Sequence, residues 1–226
     1  MRFEVKGEPY PAGIVHMNSG ESINCQSGAM IWMSPNMQMQ SGTGGGGIGG
    51  MFKRAISGES IFRNTYTAQG DGMIAFGSSY PGEIIGLEME AGDVLIAQKK
   101  AYLAAAPTVN FETAFQNLST GIFGGEGFIM QKFTGTGLLL LEFDGSIIEY
   151  NLQAGESMLV DNGYLAAMDG TCHMEIERVK GIGNVLMGGE GLTHVKVTGP
   201  GRVWLQTMPI NQFVQAIYAL MPKQSS

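Results

Sequence analysis

Three glutamates occupy matching places along the chain, and their carboxylates hold its clearest potential for chemistry. Glu59, Glu126 and Glu190 each follow a glycine, and in every copy a threonine (Thr67, Thr134, Thr198) comes nine residues after that glycine. A Gly-x-Gly turn comes next: Gly70-Asp71-Gly72, Gly135-Thr136-Gly137 and Gly199-Pro200-Gly201. Copies 67 and 64 residues apart mean one structural unit built three times. If the three units surround a common axis, the carboxylates gather into an oxygen-rich site suited to a hard cation, because close carboxylates repel unless protonated, paired or bridged. In the simpler alternative each glutamate accepts backbone N–H groups at its own turn, far from its counterparts.

Other constellations are weaker. The segment from Ser41 to Arg54 is glycine-rich and ends in the cationic pair Lys53-Arg54. No Ser or Thr follows Lys53, and its surroundings read as β, so it lacks the pattern of a phosphate-binding loop. It suits a contact loop better, and with Lys132 it outlines an alternative RNA-binding groove. The histidines His16, His173 and His194 lack the close His-x-His spacing of a β-barrel metal site. No Gly-x-Ser-x-Gly elbow marks a nucleophile. Cys25 and Cys172 form no Cys-x-x-Cys pattern and read as buried free thiols of a reducing compartment. The expectation is a protein without catalytic residues and without a cofactor.

The elements that must position these residues read as strands. Gly20-Glu21, Gly92-Asp93 and Gly155-Glu156 each open a strand after a turn. Thr193 to Thr198 alternates, with Val195 and Val197 on one face. Leu138-Leu139-Leu140-Leu141 is apolar on both faces, as in a strand covered on each side. Gly-x-Gly between two such runs predicts a tight hairpin in each unit. Near the end, Ile210, Phe213, Val214, Ile217, Tyr218 and Met221 recur at helical spacing between Pro209 and Pro222, which predicts an amphipathic helix packed on its own sandwich.

Composition sets the outer bounds. The net charge is −7 over 226 residues, which argues against broad nucleic-acid binding. Only 15% of residues are charged, against about a quarter in typical domains. So neutral a surface suggests that part of it is covered by another subunit. No secretory or membrane-spanning segment is apparent, and a cytoplasmic location is expected.

The connector, Lys53-Arg54, Gly58-Glu59-Ser60-Ile61-Phe62, Asn64-Thr65-Tyr66-Thr67 and the later Tyr102-Leu103-Ala104 together resemble the altered-inheritance-of-mitochondria family. The resemblance runs from about residue 3 to 208. It implies an all-β fold like that of the tryptophan RNA-binding attenuation protein, with its sandwich unit in tandem copies. Eukaryotic relatives are mitochondrial proteins tied to inner-membrane organisation. The resemblance brings no catalytic residues with it, and likeness of fold does not carry over RNA or tryptophan binding.

The expected architecture is therefore all-β: three pseudo-equivalent sandwich repeats at about 3–90, 91–153 and 154–208, with a C-terminal helix at 209–221. The expected function is a non-enzymatic, homo-oligomeric binding or scaffold protein, with a protein partner and without a membrane span. The alternatives are a metal- or small-ligand-dependent protein with a site between repeats, and an RNA-binding module.

Overall fold

The computed structural model describes residues 1–42, 63–117, 128–178 and 193–221. Nearly all of its regular structure is antiparallel β. The strands fall into three series. The first is β1 (Arg2–Lys6), β2 (Ala12–Met17), β3 (Ser22–Gln26), β4 (Met30–Met33), β5 (Met37–Gly42), β6 (Arg63–Ala68) and β7 (Gly72–Gly77). The second is β8 (Gly82–Met89), β9 (Val94–Gln98), β10 (Tyr102–Ala105), β11 (Val109–Asn117), β12 (Phe128–Gly135) and β13 (Gly137–Asp144). The third is β14 (Ile147–Leu152), β15 (Ser157–Asp161), β16 (Leu165–Asp169), β17 (His173–Arg178), β18 (Thr193–Thr198) and β19 (Gly201–Gln206), followed by the helix α1 (Ile210–Leu220).

One pairing rule recurs. Each series makes two half-sheets, β2-β7-β4 and β5-β6-β3 in the first, β8-β13-β10 and β11-β12-β9 in the second, β14-β19-β16 and β17-β18-β15 in the third. Consecutive series are joined by strand pairing, β10 to β3 and β16 to β9. The product is four sheets: β1-β2-β7-β4, two six-stranded sheets, and β15-β18-β17.

Three cores hold the sheets face to face. Val15, Ile74 and Phe76 of the first sheet pack on Ile23, Tyr66, Leu138 and Leu140 of the second. Leu139 and Leu141, on the opposite face of β13, pack on Leu95, Ala97, Phe133 and Trp204 of the third. Leu165 and Val203 of the third meet Val160, Val195 and Val197 of the fourth. The run Leu138–Leu141 is thus covered on both faces, because β13 lies in an inner layer. Among the described residues the series succeed one another as layers and do not close on themselves.

Local chemistry explains why the unit recurs. The turns before β3, β9 and β15 all place glycine at positive φ: Gly20 at 84°, Gly92 at 98° and Gly155 at 80°. The acid after each glycine accepts the backbone N–H three residues earlier: Asn18 to Glu21 at 2.7 Å, Glu90 to Asp93 at 2.9 Å, Gln153 to Glu156 at 2.8 Å. The repeated threonines Thr67, Thr134 and Thr198 face Ser22, Val94 and Ser157, the first residues of the strands these turns launch.

Two expectations are corrected. The Gly-x-Gly segments are not hairpins. β12 belongs to the third sheet and β13 to the second, and β6/β7 and β18/β19 are likewise divided between sheets. Each Gly-x-Gly is a corner that lifts the chain from one layer to the next. At Gly135, φ is 110° and a Cβ would stand 2.2 Å from the Thr108 carbonyl oxygen, a close approach only glycine allows. The helix is present, but it does not bury its apolar face on its own sandwich. None of its residues is buried, and Phe213, Val214, Ile217 and Tyr218 are exposed. It is tethered at its start, where the Ile210 N–H donates to Asp144 Oδ2 at 2.8 Å, and by Tyr164 Oη donating to Gln212 Oε1.

Candidate functional site

Glu59, Glu126, Glu190, Lys53 and Arg54 lie outside the described residues. Lys132 is described, and its ammonium sits 3.6 Å from the Glu112 carboxylate, so its charge is balanced on the surface. The histidines are scattered. His16 lies 3.2 Å from Glu4 and His173 3.5 Å from Glu175, while His194 faces Asp161 across β18 and β15. Among the described residues no three His, Cys, Asp or Glu side chains come close enough to hold a metal ion. Both cysteines are buried thiols. Burial pushes Cys25 up to about 12, and burial followed by the nearby Asp169 raises Cys172. Neither offers a thiolate nucleophile near neutral pH.

The most developed polar cluster is structural. Glu142 on β13 is buried at the joint between the first and second series. It accepts from the Ser79 N–H at 2.6 Å, the Ser78 hydroxyl at 2.8 Å and Gln26 Nε2 at 3.0 Å. Burial raises its carboxyl above the ordinary value, and these donors offset only part of the rise. The second joint repeats the device with an uncharged residue: Gln206 Nε2 donates to Gln98 Oε1 at 3.4 Å and to the Gly163 carbonyl at 2.7 Å. Within the joints, then, buried polar side chains are spent on one another.

Two cavities open at the surface. A cavity of about 920 Å³ is bordered by Lys6, Glu8, Tyr10, Glu83, Asp144 and Phe213. Two of its carboxylates are already committed to backbone donors, Glu83 to the Ile147 N–H at 2.8 Å and Asp144 to Ile210. The second, about 760 Å³, lies between α1 and the outer face of the fourth sheet, against Leu159, Asp161, Tyr164 and His194. Among the described residues, neither gathers a nucleophile, a base and an oxyanion donor.

The unusual surface lies at the two ends of the stack. Leu103 and Ala104 of β10 are both 0% exposed, and Ala166 and Ala167 of β16 are 0% and 1%. Their counterparts on β4, Ile31 and Trp32, are 49% and 46% exposed. At the other end Leu159 of β15 is 61% exposed and borders the cavity that Gln212, Gln215 and Ala216 of α1 also line. Among the described residues nothing pairs with the outer edges of β4 and β15. Sequence reasoning passed over this surface, since Met30-Ile31-Trp32-Met33 looks like any core strand until its layer is known.

The fold and these sites define a layered all-β repeat protein that, among the described residues, exposes an apolar strand edge. The chain belongs to the mitochondrial biogenesis AIM24 family, whose model matches residues 3–208. It is similar to an uncharacterized protein of Streptococcus pyogenes serotype M6, 27% identical over 238 aligned positions that span 100% of this chain and 93% of that one. It is also similar to the protein in an X-ray crystal structure from Streptococcus pyogenes, with a TM-score of 0.80 and 25% identity, covering 97% of this chain and 99% of that one. No helix among the described residues is long and apolar enough to cross a membrane.

Proposed function

We propose that this AIM24-family chain is a non-enzymatic scaffold that works as a homo-oligomer and presents its repeats as a binding surface. The observation that carries the reading is the exposure of Ile31 and Trp32 at positions whose counterparts are sealed inside the molecule. Exposed apolar edges of this kind are sites of association. Buried thiols at Cys25 and Cys172 suit a reducing cytoplasm. Of the cations of the alternative RNA-binding groove, Lys53 and Arg54 lie outside the described residues and Lys132 pairs with Glu112 at 3.6 Å.

Size-exclusion chromatography with light scattering at micromolar concentration tests the reading. A mass that is a whole-number multiple of 24.1 kDa, two or more, is the expected result. A strictly monomeric species contradicts it.

A further inference from the structure

The two joints inside the molecule share one geometry, and the ends of the stack carry the two halves of a third. At the first joint β10 runs antiparallel to β3, with Ala104 opposite Cys25 and Ala105 opposite Asn24. At the second, β16 runs antiparallel to β9, with Ala167 opposite Ala97 and Met168 opposite Ile96. Each of these strands is bulged on its other edge, between Tyr102 and Ala104 and between Leu165 and Ala167. β4 carries the same bulge against β7, between Met30 and Trp32. Matching the bulges makes Trp32 the counterpart of Ala104 and Ala167, and Met33 the counterpart of Ala105 and Met168. On the receiving side, Cys25 and Ala97 lie five residues after the turn glycines Gly20 and Gly92. Five residues after Gly155 is Val160.

The geometry points to a head-to-tail joint between copies of this chain, in which β4 pairs antiparallel with β15 of a second copy, Trp32 opposite Val160 of the partner subunit and Met33 opposite Leu159 of the partner subunit. This rests on the oligomeric reading above and names the surface that builds it. The joined sheet would run β17-β18-β15 from one copy into β4-β7-β2-β1 of the next, the same order as in the inner sheets apart from the added β1.

Burial supports the same arrangement. In the inner layers the residues equivalent to Ile31 and Trp32 face the preceding sheet and are sealed by it. The first sheet has no preceding layer among the described residues, and a second copy supplies one. Within the chain β4 and β15 belong to the first and fourth sheets, with two sheets between them in packing order, and they do not pair. The polar pairs of the inner joints are not repeated here: Gly77 stands where those joints have Glu142 and Gln206. The new joint therefore relies on the main-chain ladder and on apolar side chains. Because the two surfaces differ, the contact is heterologous. It closes into a ring if its rotation allows and otherwise extends as a filament.

Directly opposed residues of antiparallel strands have Cα atoms about 4.5–5.5 Å apart, within the reach of a disulfide. Met33→Cys and Leu159→Cys are therefore made as separate full-length proteins, mixed, and treated with a mild oxidant; Cys25 and Cys172, being buried, do not compete. A cross-linked dimer that forms in the mixture and in neither protein alone is the expected result. Adding Ile31→Glu to the Met33→Cys protein is expected to abolish the cross-link while circular dichroism and the subunit's melting transition stay unchanged. An oligomer seen by light scattering but not trapped in the mixture overturns this joint and leaves the scaffold reading standing. Cross-linking within either single variant overturns the head-to-tail arrangement. A monomer overturns both.

Discussion

At the scale of single residues, Glu142 shows how the molecule uses charge. A buried carboxylate is tolerated because Ser79, Ser78 and Gln26 donate to it. Glu142→Gln keeps a hydrogen-bonding side chain of the kind that Gln206 already provides at the second joint, so its cost is expected to stay within about 1 kcal/mol. Glu142→Leu leaves four donors without this acceptor, the Ser79 N–H, the Ser78 and Ser79 hydroxyls and Gln26 Nε2, and is expected to cost about 2–3 kcal/mol; denaturant melts of both variants check this. The pH dependence has a definite sign. Because the folded-state value lies above the ordinary 4.5, the folded protein holds this proton more tightly than the unfolded chain. Its contribution to stability is therefore present in acid and is lost as pH rises from 4.5 through the raised value. Melts across that window are expected to show the decline in the parent and a flatter profile in Glu142→Gln. The sequence marked β13 as a strand covered on both faces. It left the role of Glu142 hidden, since the donors lie 63 to 116 residues away in the chain.

At the scale of elements, the repeated turn is the sequence signal with the firmest physical basis. Gly92 supplies the positive φ and Asp93 satisfies the Glu90 N–H. Asp93→Ala is expected to destabilise by about 1 kcal/mol, the usual worth of a side-chain cap on a backbone donor, measured by thermal or denaturant unfolding. Gly135→Ala places a Cβ against the Thr108 carbonyl at positive φ and is expected to cost more, about 2 kcal/mol or above. The Gly-x-Gly corners were legible as turns but not as layer changes. A hairpin and a corner look alike over three residues, and only the partners of β12 and β13, namely β11, β9, β10 and β8, decide between them. The helix was legible from its three- and four-residue spacing. Its exposed apolar face was not, because periodicity says which residues share a face and nothing about what covers it. Truncation after Pro209 removes no buried helical side chain and is expected to move the melting midpoint by only a few degrees.

At the scale of the whole molecule, strand pairing carries one series into the next and leaves the two complementary edges, β4 and β15, at opposite ends. Ile31 and Trp32 are 49% and 46% exposed, so sealing them as their counterparts are sealed would stabilise an assembly by about half of the roughly 1.5–3 kcal/mol that full burial of a large apolar side chain gives. The low proportion of charged residues hinted at such coverage from composition alone. The strand register that names the contact exists only in three dimensions. Native mass spectrometry of the full chain tests the account most directly, with Ile31→Glu run beside it. An oligomer of bare subunits is expected for the parent and folded monomers for the variant. A parent that remains a 24.1 kDa monomer at micromolar concentration, or a variant that assembles as well as the parent, would contradict it.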